Sequence, residues 1–142
     1  MLPGWRSLNS SNTNTMAPRP RKPNVAGNLE VHVIDAAGRP LGRIASEAAT
    51  LLQGKRRVTY DPRLLAPVEV RIENARKVVV TGRKAIQKRY YRHAGQLGHL
   101  KVRKFEDVFR KQPAWVIRHA IRNMLPKNRL RARRLRQLFI TA

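Results

Sequence analysis

Pro126 divides the C-terminal third of this sequence into an amphipathic segment and a strongly basic one. Residues 113–125 carry apolar side chains at spacings of one, three and four, which predicts a helix with one apolar face. Pro113 suits the first turn of that helix, and the helix must end before Pro126 because proline cannot continue the hydrogen-bond ladder. Asn128 is well placed to cap a second short helix. We therefore predict two helices joined by a rigid corner.

The basic segment has a charge of one sign. Residues 122–136 hold seven Lys or Arg and no acid, and only Leu130 and Leu135 in the corner and second helix are expected to reach a core. Solvation alone would favour mixed signs, so this run indicates contact with a polyanion. The phosphate-binding residues predicted here are Arg118, Arg122, Lys127, Asn128, Arg129, Arg131, Arg133, Arg134 and Arg136.

The positive charge of the whole chain is also concentrated in its C-terminal part. Basic and acidic residues number five and two in residues 1–40, eight and four in 41–82, and eighteen and two in 83–142. A net charge of +23 favours RNA or DNA over a membrane as the partner. Two further basic clusters are predicted to bind RNA, and they comprise Lys55, Arg56, Arg57, and then Arg83, Lys84, Lys88, Tyr90, Arg92 and His93. Tyr90 and Tyr91 could stack on unpaired bases, but at least one of the two rings is expected to pack on the sheet instead.

Alternation and helical spacing together predict an α/β fold. Expected strands cover residues 29–36, 68–73, 78–80 and 138–141, and the connection between the second and third of these could be a hairpin or a bulge. Expected helices cover residues 41–52, which Gly54 should end, and 105–111, in addition to the helices around Pro126. Thr81–Lys84 is expected to turn into a helical stretch that ends in Tyr90–His93.

Residues 1–28 are predicted to be a flexible tail, because they contain no acid and show no apolar periodicity. Met16 is an alternative start, and an organelle transit peptide is an alternative interpretation of the Ser-rich segment before it. Residues 29–142 are then a single α/β RNA-binding domain.

Several kinds of chemistry have no support in the sequence. The absence of cysteine excludes disulfides, thiol catalysis and cysteine-based zinc sites, and the four histidines lack metal-ligand spacing. Gly38 and Gly42 do not complete a nucleotide-binding fingerprint, and Asp35 is interpreted as a cap of the Gly38 turn. No apolar run reaches the roughly 18 residues that would indicate a membrane span. We predict no enzyme activity, cofactor, metal, small-molecule substrate or membrane partner.

A set of separate motifs, in order along the chain, resembles the ribosomal large-subunit protein thirteen family. The motifs are Asp35–Ser46, Gly54-Lys55, Asn74-Ala75, Thr81-Gly82, Tyr90–His93 and, most specific, Met124–Leu130. The sequence departs from the usual family pattern at Ala66-Pro67, at Gln96–His99, at Arg131 and in lacking a His- and Pro-containing segment near the C-terminus.

The resemblance implies a three-layer α/β/α fold around a small, mostly parallel four-stranded sheet, with a basic helical C-terminal extension. It also implies a non-catalytic protein that binds large-subunit ribosomal RNA, contacts neighbouring large-subunit ribosomal proteins and supports early subunit assembly. The expected location is the large ribosomal subunit in the cytoplasm, with an organellar ribosome as an alternative. A nucleoid-type DNA-binding protein is the alternative function. A nucleotide-binding α/β enzyme is a third interpretation, which the missing glycine fingerprint disfavours.

Overall fold

The computed structural model describes residues 29–141. Its strands are β1 (Glu30–Asp35), β2 (Val68–Glu73), β3 (Arg89–His93), β4 (Leu100–Lys104) and β5 (Leu138–Ile140). Its α-helices are α1 (Leu41–Gln53), α2 (Lys84–Gln87), α3 (Phe105–Lys111), α4 (Pro113–Met124) and α5 (Leu130–Arg136). The mixed α/β class, the first two strands, the last strand and the helices α1, α3, α4 and α5 are as predicted.

The main sheet has three parallel strands in the order β1-β2-β5. Side chains of even-numbered residues in these strands point to one face, where they meet both α1 and α4 in a single core. The largest contributors are Ile34, Val70, Ile72 and Leu138 from the sheet, Ile44 and Leu52 from α1, and Ile117 and Ile121 from α4. The sheet therefore holds α1 and α4 side by side.

The opposite face of the sheet is left open by the described residues. Val33 and Phe139 lie on either side of Arg71 in the strand register, and their exposures are 59% and 51%. The third layer of the predicted three-layer fold and a fourth strand of the main sheet are both absent from residues 29–141. The architecture in this part of the chain is two-layered.

The strand predicted at Val78–Val80 is reduced to one isolated bridge between Val79 and Pro40. Asn74 takes a left-handed conformation, with φ of 57°, and starts a 3-10 helix over Ala75–Lys77. This turn carries the chain away from β2, so the connection is neither the hairpin nor the bulge that the sequence left open.

The helical stretch predicted to end in Tyr90–His93 is also wrong, because only the four residues of α2 are helical. The following residues form β3, which pairs antiparallel with β4 in a separate two-stranded sheet. Strand alternation explains the outcome, since it directs Tyr90 inward against Phe105 and leaves Tyr91 63% exposed. A helical period cannot separate two adjacent tyrosines so completely.

The corner at Pro126 has the predicted form. Leu125 is extended, with φ of −80° and ψ of 144°, as expected of a residue that precedes proline. Its side chain is buried, which anchors the end of α4. The side-chain oxygen of Asn128 accepts a hydrogen bond from the backbone N–H of Arg131 at 3.1 Å and so caps the start of α5.

Candidate nucleic-acid interface

An open cleft of about 530 Å³ lies between α4, the Pro126 corner and α5. We refer to it as the α4–α5 cleft. Among residues 29–141, its lining contains four cations, two aromatic rings and no acid. The lining residues are Trp115, Arg118, His119, Arg122, Lys127, Asn128, Arg131, Ala132 and Leu135.

Two of the four cations are held in place by backbone carbonyls. The Arg118 guanidinium donates to the carbonyl oxygens of Leu135 and Leu138, at 3.5 and 3.2 Å, and so links α4 to the end of α5 and to β5. The Arg131 side chain donates through Nε to the carbonyl oxygen of Pro126 at 3.1 Å. These contacts orient the groups and leave their charges uncompensated.

The charges of the cleft differ from those near the main sheet in having no acidic partners. Within residues 29–141, no carboxylate forms an ion pair with Arg118, Arg122, Lys127 or Arg131. By contrast, the first half of the domain neutralises several of its cations. Its ion pairs include Arg39–Glu47 at 2.6 Å, Arg57–Glu30 at 3.2 Å and Arg71–Glu69 at 2.8 Å.

The other predicted basic clusters lie outside the cleft. Arg56 and Arg57 follow α1 and are each paired with a glutamate, and Lys55 beside them is exposed. The exposed cations of the α2–β3 region are Arg83, Lys84, Lys88 and Arg92, which were predicted, and Arg89. His93 is engaged locally, because its Nδ1 accepts a hydrogen bond from the Gly95 N–H at 3.1 Å.

Helix α5 presents its cations unequally. Arg129, Arg133 and Arg136 are exposed but do not line the cleft, whereas Arg134 is only 1% exposed. Arg134 follows Leu130 by one helical turn, so both point to the core, and its guanidinium donates to the carbonyl oxygen of Pro62 at 3.4 Å. The prediction that Arg134 binds phosphate is therefore corrected, since the side chain is not accessible.

Tyr90 is half-buried among the protein's own aromatic rings. Its ring centroid lies 6.1 Å from that of Phe105, 5.0 Å from Trp115 and 5.1 Å from His119. Burial also raises the pKa of its hydroxyl. The sequence predicted RNA contact at Tyr90 and expected either Tyr90 or Tyr91 to pack on the protein. The structure shows that Tyr90 is the packed ring, in a supporting position behind Trp115 and His119.

Sequence reasoning missed Trp115 and His119 as members of the site. Their rings stack at 5.0 Å with an angle of 25° between planes, one turn apart on α4. Burial, reinforced by Lys88 and Arg122, lowers the pKa of His119 below its usual value. A signal was present, because Trp115, Arg118, His119 and Arg122 follow the i, i+3, i+4, i+7 spacing of one helical face.

The sequence profile described as ribosomal protein L13 matches residues 29–141, which is all of the chain that the structure describes. The chain belongs to the ribosomal protein L13 family.

Relatives in this family match most of the chain. The large ribosomal subunit protein uL13 of Gloeothece citriformis is 48% identical over 108 residues, which are 76% of this chain and 69% of that protein. The uL13 protein of Chlamydia abortus is 42% identical over 119 residues, covering 84% and 79% respectively. That of Chloroflexus aggregans is 45% identical over 111 residues and covers 78% of each.

No cluster of three or more His, Cys, Asp or Glu that could hold a metal occurs in residues 29–141. Asp35 accepts hydrogen bonds from the Ala37 N–H at 3.0 Å and from the Asn74 side chain at 2.9 Å, and these bonds lower its pKa. Its interpretation as a turn cap is confirmed. None of the described helices is long and apolar enough to cross a bilayer.

Proposed function

We propose that this L13-family protein is a non-catalytic constituent of the large ribosomal subunit that binds ribosomal RNA through the α4–α5 cleft. The observation that carries the proposal is the set of four cations in the cleft with no carboxylate among its lining residues. A concave surface of one sign concentrates field lines and attracts a polyanion. Family membership supports ribosomal RNA as that polyanion.

The arrangement favours recognition of a folded backbone rather than of a base sequence. Arg118 and Arg131 are already oriented by backbone carbonyls, so little side-chain entropy is lost when phosphates bind them. Arg122 and Lys127 are exposed and can adjust. Folded RNA is read mostly through its shape and its phosphates. The exposed Arg129, just before α5, and Arg133 and Arg136 on α5 would extend the contact beyond the cleft.

The open face of the main sheet supports a second contact, with a neighbouring large-subunit protein. Val31, Val33 and Phe139 expose apolar surface there. Three of the eight acids of the chain, Asp35, Glu69 and Glu73, occupy the same face, beside the single cation Arg71. Such a surface repels phosphate and suits a partner that offers apolar and basic side chains. We therefore propose that the RNA contact and the protein contact are on different sides of the domain.

In this proposal, the two surfaces together would allow the protein to support early subunit assembly. The cleft would hold an RNA fold in place, while the sheet face would remain free to receive a protein partner. Crosslinking in cells, followed by sequencing of the attached RNA, should recover large-subunit ribosomal RNA. Recovery of mostly messenger RNA or chromosomal DNA would contradict the proposal.

The cleft is tested by replacing Arg122, Lys127 and Arg131 together with Gln, which keeps helix propensity while removing three charges. The log–log salt slope for binding a large-subunit RNA fragment should become shallower by about 2–3 units, using the duplex-DNA coefficient as a guide. The matched control replaces Arg43, Arg63 and Arg76, which are exposed cations outside the cleft lining. Equal losses of slope in both variants would show a diffuse field and no specific role for the cleft.

The same binding assay separates RNA from DNA as the partner. An A-form RNA duplex and a B-form DNA duplex of equal length present the same number of charges with different groove shapes. The proposal predicts that the RNA duplex competes better at every salt concentration. Preference for the DNA duplex would instead support a nucleoid-type protein.

A further inference from the structure

The α4–α5 cleft combines its cations with an aromatic platform that a paired helix could not use. Trp115 and His119 form a stacked pair, and Trp115 keeps 39% of its surface exposed. Both residues line the cleft together with the phosphate-binding cations of the proposed function. A phosphate-only site would need the cations and no exposed indole.

The ring of Tyr90 supports the Trp115–His119 pair on its inner side. Tyr90 meets Trp115 edge-on, with an angle of 88° between ring planes, and meets His119 at 73°. Tyr90 is itself stacked on the buried Phe105, so the platform rests on the core of the domain. An indole that is fixed on one side and exposed on the other can accept a ring without reorganisation, which lowers the entropic cost of binding.

A purely structural role explains only part of this geometry. Packing against Tyr90 accounts for the buried portion of Trp115, but not for its exposure among Arg118, Arg122 and Lys127. Every base has a flat π-face, and unpaired bases stack on Trp, His and Arg in RNA-binding proteins. In a duplex those faces are covered by neighbouring base pairs. The cleft volume of about 530 Å³ is within the range of small-ligand sites, which suits one or two nucleotides.

We infer that the α4–α5 cleft binds an unpaired nucleotide, with the base on the Trp115–His119 platform and the phosphates among the surrounding cations. This inference rests on the proposed function, because it specifies which form of RNA the cleft takes. The pairing state of the bound RNA distinguishes this inference from the proposed function, because binding to the backbone alone requires no unpaired base. Arg122 lies one turn beyond Arg118 on the same helix face and is placed to reach a phosphate next to the stacked base.

The fluorescence of Trp115 provides a direct test. The chain has two tryptophans, so Trp5→Phe leaves Trp115 as the only tryptophan, and excitation at a wavelength that tyrosine does not absorb reports on it alone. In this background a single-stranded ten-nucleotide oligouridine or oligoadenosine should quench Trp115, because the base lies on the indole. Inorganic polyphosphate of similar charge should bind the cations and leave the emission nearly unchanged. Equal quenching by polyphosphate, or no quenching by a bound oligonucleotide, would overturn the inference.

Affinity measurements separate this inference from the proposed function. Trp115→Leu should lower the ratio of single-strand to duplex affinity by about 5- to 150-fold, the range expected for the loss of one base stack. Trp115→Phe keeps a ring on the platform and should recover most of that ratio, which also excludes a general folding defect. An unchanged ratio for a folded Trp115→Leu protein would overturn the stacking inference while leaving backbone binding intact. Failure of the wild-type protein to bind either form of RNA would overturn both.

Discussion

The Arg134 guanidinium donates a hydrogen bond to the carbonyl oxygen of Pro62, 72 residues earlier in the chain, at 3.4 Å. This contact fastens α5 to the loop that precedes β2, and the arginine is almost completely buried there. Within the described residues its Nε has no hydrogen-bond partner, and burial lowers its pKa. One cation in the basic helix therefore stabilises the fold, while its neighbours face solvent.

Arg134→Ala should lower the free energy of unfolding by about 2–3 kcal/mol, because it removes a buried side chain and leaves a cavity. Arg134→Met should lose much less, since it fills most of the volume and introduces no unpaired polar group. The matched surface variant Arg133→Ala should stay within about 0.5 kcal/mol of the wild type. Urea denaturation measures all three. Equal effects at the two positions would show that Arg134 is not an anchor.

The contrast between Arg134 and its neighbours shows what local sequence could predict here. The helix pair, the Pro126 corner and the Asn128 cap follow from residues within a few positions of one another, and the structure confirms them. The burial of Arg134 depends on Pro62, which no local pattern connects to α5. The same limit explains the error at Tyr90, whose inward position depends on Phe105 and Trp115. The unpaired charge of the cleft was predictable from the lack of acids, and the position of Trp115 and His119 beside its arginines was predictable from helical spacing. The packing of Tyr90 behind these two rings depends on tertiary contacts.

Asn128 combines a capping role with a position in the cleft, and two substitutions separate these roles. Asn128→Ala should cost about 1 kcal/mol of stability through loss of the cap to the Arg131 N–H. Asn128→Asp keeps a capping oxygen, so it should retain stability, but it adds a negative charge beside Lys127 and should weaken RNA binding. Thermal unfolding and RNA titration check the two effects. If Asn128→Asp binds RNA as tightly as the wild type, phosphates do not enter this part of the cleft.

Gly54 ends α1 in a left-handed conformation, with φ of 75°. A Cβ atom there would lie 2.6 Å from the Cβ of Ala66, so both backbone strain and a steric clash oppose any side chain. Gly54→Ala should lower stability by about 2 kcal/mol or more. Gly42→Ala is the matched control, because Gly42 is helical and a Cβ added there would meet no atom within 4 Å, so the change should stabilise α1 by about 0.5–1 kcal/mol. The denaturation midpoint should therefore fall for Gly54→Ala and rise for Gly42→Ala.

The lowered pKa of His119 makes a specific contribution to the pH dependence of stability. In the window between the folded-state pKa and the unfolded value of about 6.5, the unfolded chain binds more protons than the folded protein. Stability should therefore fall as the pH decreases through this window, and level off below it. His119→Gln should reduce that loss, whereas the exposed His99→Gln serves as the control for removal of an imidazole. A pH dependence of unfolding that is identical in wild type and His119→Gln would contradict the burial of this ring.

The open sheet face provides the last prediction, because its apolar residues can be changed without altering the cleft. Val33→Thr together with Phe139→Thr removes exposed apolar area at positions outside the cleft lining and retains a strand-forming residue at Val33. RNA affinity and its salt slope should be unchanged, but incorporation into large subunits, in competition with the wild-type protein, should fall several-fold.

The control for this variant is Val58→Thr with Leu97→Thr, two fully exposed apolar residues outside the strands. This control should incorporate normally, because it also removes exposed apolar side chains but leaves the sheet face unchanged. A marked loss of thermal stability in the isolated Val33→Thr, Phe139→Thr protein would show that another part of the same chain covers the face. Normal incorporation of that variant would show that no neighbouring protein docks there, and the negative charge of Glu69 and Glu73 would then serve only to keep RNA away from this side.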